Sequence, residues 1–141
     1  MKKLAILLSI LIVSACATVP TPNSEQRLVP SGQVFLKSLP PSQDTAQIVV
    51  IRDQGFFGSA NFLHFYIDGQ KVASLDPRER LELYLAAGEH IFGVKPTDPL
   101  GVHAGFNIDQ TLQSGRTYYY RLLIDSNAGA RIQRELAETK H

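Results

Sequence analysis

Phe65-Tyr66-Ile67-Asp68-Gly69-Gln70-Lys71-Val72 decides the reading of this chain. Leu63, Phe65 and Ile67 alternate with Phe62, His64 and Tyr66, the two-residue period of a half-buried strand, so the first three are expected to face a core. Asp68-Gly69 follows, and both residues tolerate the positive φ of a type I′ turn. Residues 71–75 are then the return strand of a hairpin.

The same logic extends in both directions. Upstream, residues 47–52 (Gln-Ile-Val-Val-Ile-Arg) form a β-branched run whose near-continuous apolarity predicts burial on both faces. Downstream of Asp76-Pro77, residues 80–85 alternate with Leu81, Leu83 and Leu85 inward and Arg80, Glu82 and Tyr84 outward. A turn at Ala87-Gly88 leads to a strand at 90–95, a loop at 96–101, and a strand at 102–112 weakened by Gly105. Gln113-Ser114-Gly115 turns the chain into a last strong strand at 117–125. About seven short strands separated by turn signals predict an all-β domain, an antiparallel sandwich and not a βαβ fold. Residues 131–140, with Ile132 and Leu136 four apart, predict a short helix capping an edge or open end of the sheet.

Composition divides the chain. Residues 1–15 have the build of a secretory leader, with Lys2 and Lys3 before an apolar run at 4–13. That run is about half of the roughly 20 residues a membrane span needs. Val13-Ser14-Ala15-Cys16 resembles a bacterial lipobox, which implies cleavage between Ala15 and Cys16 and a lipid on Cys16. This cysteine is the only one in the chain, so no internal disulfide can occupy it. Residues 16–43 carry Pro20, Pro22, Pro30, Pro40 and Pro41 among small polar residues and read as a flexible tether. Its Val34-Phe35-Leu36 triplet is expected either as a short strand or as a plug on the domain. Residues 44–141 form the β domain.

In that domain the hairpin at 65–72 and the run Leu85-Ala86-Ala87-Gly88-Glu89-His90-Ile91-Phe92 resemble a PEGA-type, immunoglobulin-like β module. Together with Ile48-Val49-Val50-Ile51-Arg52 and Tyr118-Tyr119-Tyr120-Arg121, they resemble in order a family of small bacterial lipoproteins whose domain has no assigned function. The resemblance spans residues 44–140 and departs from the PEGA pattern at Ala87, where proline often precedes the turn glycine. It implies a β-sandwich-like domain and brings no catalytic residues.

Charge and motif content narrow the classes further. Loss of Lys2 and Lys3 with the leader takes 14 basic residues to 12 against 13 acidic ones, leaving no basic excess to hold nucleic acid. There is no Gly-x-Ser-x-Gly elbow, no His-Glu-x-x-His pair and no phosphate loop. His64, His90, His103 and His141 each stand alone in their segments, and Glu89-His90 with Asp68 or His103 is the one combination that could be written as a metal site. The expectation is therefore no catalytic residue, no metal and no cofactor.

Two aromatic groups are candidate binding surfaces. Gly55-Phe56-Phe57-Gly58 places two rings in a glycine-bounded loop, which either plugs the sandwich or forms a contact tip for an envelope protein or membrane. Tyr119 and Arg121 share one strand face, opposite Tyr118 and Tyr120. Exposed tyrosine there could stack on a sugar ring, whereas packing across strands is the ordinary use of tyrosine in a sheet. Ala17 after the cysteine, where aspartate favours inner-membrane retention in the lipoproteins resembled, implies the outer membrane. These readings lead to a lipid-anchored outer-membrane lipoprotein whose non-catalytic domain faces the periplasm and meets an envelope protein. The alternatives are a cell-wall glycan-binding accessory or an envelope hydrolase.

Overall fold

Along the described residues nine strands follow one another: β1 (Arg27–Leu28), β2 (Thr45–Arg52), β3 (Leu63–Ile67), β4 (Gln70–Leu75), β5 (Glu79–Ala86), β6 (Gly88–Pro96), β7 (Phe106–Leu112), β8 (Thr117–Ile124) and β9 (Ala130–Glu135). The structure is a computed structural model and describes residues 18–55, 61–97, 104–125 and 129–136. The strands form two sheets, ordered β1-β5-β2-β8-β9 and β4-β3-β6-β7. The protein is thus all-β and sandwich-like, and the seven strands expected from periodicity correspond to β2 through β8.

Alternation places the core where the pattern predicts. Leu63, Phe65 and Ile67 are buried, as are Leu81, Leu83 and Leu85, while β2 is buried on both faces. Phe92 of one sheet stands edge-on to Tyr120 of the other, with centroids 5.1 Å apart, and also to Phe65 at 5.5 Å. Both T-shaped contacts suit the ring quadrupoles, and the Phe92–Tyr120 pair joins the two layers. Asp68 and Gly69 have φ of 51° and 79°, so the expected type I′ turn closes β3 and β4. Gly105 stands just before β7, where an added Cβ would lie 2.6 Å from Lys95 Cγ and 3.0 Å from the Val94 carbonyl. Close backbone approach accounts for this glycine.

Three expectations need correction. The helix predicted over 131–140 is replaced by β9, which pairs antiparallel with β8 from Tyr119↔Glu135 to Ile124↔Ala130. Ala130 and Ile132 are buried at a spacing of two, and Leu136 is 89% exposed. One i, i+4 pair cannot outweigh the hydrogen bonds offered by an unpaired strand edge. Residues 137–141 lie outside the described residues. The sandwich is also not wholly antiparallel, since β2 pairs parallel with β8 and β1 with β5. Hairpin logic reads only sequence neighbours, whereas β2 and β8 meet after the chain has passed through the entire second sheet. Finally, the strand count rises from seven to nine because β1 and β9 come from segments read as tether and helix.

The stretch read as tether lies on the domain over much of its length. Val19 forms an isolated bridge with Gln54, Arg27–Leu28 pairs with β5, and Val34 bridges Ala73. Val34 and Leu36 pack on the core, and Phe35, 55% exposed, lies 4.7 Å beneath the Lys71 ammonium. The triplet is therefore a docked plug.

Arg52 ties the two sheets together at one end of the sandwich. It continues the inward parity of Ile48 and Val50, is 2% exposed, and donates from Nη1 to the carbonyls of Asn61 and Leu75, the latter at 2.6 Å. Burial pulls its pKa down to about 10 against the opposing pull of Asp76 and Glu79, so the guanidinium remains charged at neutral pH. Removing it strands two carbonyls and uncompensates nearby carboxylates. Arg52→Ala should lower the urea midpoint with an unchanged slope, a loss of about 3–5 kcal/mol, and Arg52→Lys should restore only part of it.

Candidate functional site

The end of the sandwich opposite Arg52 carries the hairpin turn at Asp68-Gly69, the sheet-crossing turn at Ala87-Gly88, and the turn at Ser114-Gly115. Here an open cleft of about 500 Å³ is lined by Asp68, Glu89, His90, Ile91, Asp109, Gln110 and Thr111. Its walls are the β3–β4 turn, the start of β6 and the end of β7, brought together by the β6–β7 register that sets His90 opposite Gln110 and Ile91 opposite Asp109.

Asp68, His90 and Gln110 of the cleft are held by bonds within the fold. Asp68 Oδ1 accepts the Ile91 N–H at 2.8 Å, and Oδ2 lies 2.8 Å from His90 Nδ1. The Ile91 N–H, followed by the His90 contact, holds the Asp68 carboxyl below its ordinary range. His90 Nε2 is in turn 2.9 Å from the Ala86 carbonyl, so both ring nitrogens are engaged. Tyr120, fully buried, donates its hydroxyl to Gln110 Oε1 at 2.6 Å, and burial pushes its pKa up to about 12. Ile91, half-exposed, supplies an apolar patch among these groups. Chemically, the exposed carboxylates of Glu89 and Asp109 are offered to a ligand with hydrogen-bond donors.

Asp68, Glu89 and His90, written together from sequence as a formal metal set, do line one cleft, while His103 lies outside the described residues. Among the described residues, no group of three or more His, Cys, Asp or Glu side chains is placed to hold a metal ion.

Tyr119 and Arg121 fall on the outer face of the β2–β8–β9 layer. Tyr119 is half-buried, level in register with Val49 on one side and Glu135 on the other. Arg121 Nη1 reaches Asp53 Oδ1 at 2.6 Å and its Nε donates to Glu135 Oε1. Burial works against the Arg121 charge, but the bonds to Glu135 and Asp53 outweigh it and raise its pKa. Burial pushes Asp53 up from its ordinary value despite the Thr21 N–H at 3.0 Å and Arg121. Arg121 keeps its charge, and the costly member of the cluster is the 3%-exposed Asp53 carboxylate that it shields. Phe56 and Phe57, like Val13, Ser14, Ala15 and Cys16, lie outside the described residues.

His64 occupies the outer face of the second sheet. Nδ1 is 2.8 Å from Ser74 Oγ and Nε2 is 2.9 Å from Thr97 Oγ1. Either neutral tautomer is satisfied, because each hydroxyl can donate or accept. Burial, aided by nearby Lys71, lowers its pKa below 6.5.

Sequence reasoning missed Arg52, Asp53, Glu135 and the Gln110–Tyr120 pair. For Arg52 a signal existed, since strict alternation from Ile48 and Val50 puts it inward. For Glu135 none did while the segment was read as helix. Compared with known proteins, the chain matches no family model and no curated protein sequence.

The His64 environment has a pH consequence of definite sign. Between its folded pKa and 6.5 the unfolded chain binds the extra proton, so stability rises with pH across that window and falls as the solution is acidified through it. The urea midpoint of the wild-type protein should fall more steeply from pH 7.5 to 5.5 than that of His64→Gln. Identical slopes would remove His64 from the account.

Proposed function

We propose that this chain is a bacterial outer-membrane lipoprotein, cleaved between Ala15 and Cys16 and held by lipid on Cys16. Its sandwich, of the PEGA or immunoglobulin-like kind, serves as a non-catalytic binding or structural module in the periplasm. The observation that carries the reading is Val13-Ser14-Ala15-Cys16 at the end of a charged and apolar leader. A diacyl group with a further acyl chain on the new amino terminus would anchor it durably, since each buried methylene adds about 0.8 kcal/mol.

The geometry supports binding over catalysis. His64 and His90 have all four ring nitrogens engaged within the fold, and Arg121 is committed to Asp53 and Glu135. A glycan platform at Tyr119 gains little from a half-buried ring beside Val49. The cleft around Ile91 and Gln110 is the better place for an envelope protein to dock, because it combines an exposed apolar side chain with unshielded acceptors.

Cells fed an alkyne fatty acid should label the wild-type protein and leave Cys16→Ala unlabelled, with the variant moving from the outer-membrane fraction to the soluble periplasm. A Cys16→Ala protein that remained membrane-bound would overturn the anchor. A photoreactive residue at Ile91 should give a discrete protein adduct in cells that the same residue at Tyr84 does not.

A further inference from the structure

The segment that follows the anchor is fastened to the domain almost from its first residue. Thr18 Oγ1 donates to the Ile124 carbonyl at 2.9 Å, and Val19 N–H donates to the Gln54 carbonyl at 2.9 Å. Thr21, 1% exposed, donates its N–H to Asp53 Oδ1 at 3.0 Å. Farther along, the N–H groups of Arg27 and Val29 reach the carbonyls of Arg78 and Arg80, and Phe35 N–H reaches the Val72 carbonyl at 2.8 Å. The Gln33 amide, oriented by its neighbours, donates to Glu79 Oε2 at 3.2 Å and to the Ser74 carbonyl at 2.8 Å. These bonds run from one sheet to the other, so the segment is a strap and not a leash.

Thr18 sits at one particular end of the sandwich. Ile124, Gln54, Arg78 and Gly129 share that end, because parallel β2 and β8 both finish there and β5 and β9 both begin there. The cleft with Asp68, His90 and Gln110 is at the other end. The eight residues of β2 separate the ends by roughly 26 Å at about 3.3 Å per residue.

We infer that the domain stands on the bilayer end-first, with the Gln54, Arg78 and Gly129 end against the lipid headgroups and the cleft directed away. The inference rests on lipidation of Cys16. Thr18 is two residues past that cysteine, and two residues span at most about 7 Å. A free spacer over residues 16–43 would instead hold the domain at a root-mean-square distance of roughly 30 Å and leave its orientation random. The lipid surface is the partner of one end, and any protein partner must approach the other.

The test uses full-length acylated protein in phosphatidylethanolamine–phosphatidylglycerol vesicles, with one introduced cysteine carrying a fluorophore. Cys16 is consumed by its lipid and does not compete for the label. Nitroxide-headgroup lipid should quench labels at Gln54→Cys and Arg78→Cys several-fold more than a label at Ser114→Cys. Inserting ten glycine and serine residues between Ala17 and Thr18 should bring the Gln54→Cys signal down to the Ser114→Cys level while the protein still floats with the vesicles. Equal quenching at the three positions in floating protein, or no response to the insertion, overturns the orientation. Protein that neither floats nor carries fatty acid overturns the anchor on which it stands.

Discussion

A single buried guanidinium holds the architecture in register. Arg52 leaves one sheet and ends on the carbonyls of Asn61 and Leu75 in the other, in a region that Asp76 and Glu79 keep negative. Burying such a charge is expensive, so the segments that supply its acceptors cannot drift without stranding it. The end of β2, the start of β3, the end of β4 and the turn into β5 are therefore fixed together. Glu79 in turn accepts the Asp76 N–H at 2.7 Å and faces Arg27 at 3.6 Å, which extends the constraint to the strap.

The opposite end is organised by weaker and more exposed bonds. Asp68 there serves both as a turn residue and as an acceptor for the backbone of the neighbouring strand β6, while Tyr120 carries a hydrogen bond from the core out to Gln110. The domain thus has one end built around a buried charge and another built around an accessible cleft. This polarity makes the direction in which the proposed anchor would emerge matter.

The strands and their inward faces were legible because periodicity survives in β3, β5 and β8, where Leu63, Leu83 and Tyr120 all point as their parity requires. What was not legible depends on backbone and on distance. Thr18, Val19 and Arg27 dock largely through main-chain groups or short side chains, and their proline-rich, polar surroundings resemble any spacer. The β8–β9 pairing hid behind one helical pair, Ile132 and Leu136. Asp68, Glu89 and His90 could be named from sequence, but Gln110 could join them only once β6 and β7 were seen side by side.

The parallel pairing of β2 with β8 sets a condition on the timing of folding. Gln47 meets Thr117 and Arg52 meets Leu122, so the first long strand of the domain cannot be completed until the last third of the chain is present. Closing so long a loop precedes most of the reward for burial, and topologies dominated by such contacts fold slowly. If the chain is exported as proposed, slow closure has a use. An exported polypeptide would lack the β2–β8 ladder until residues 117–122 had crossed, so its five-stranded sheet would close on the far side.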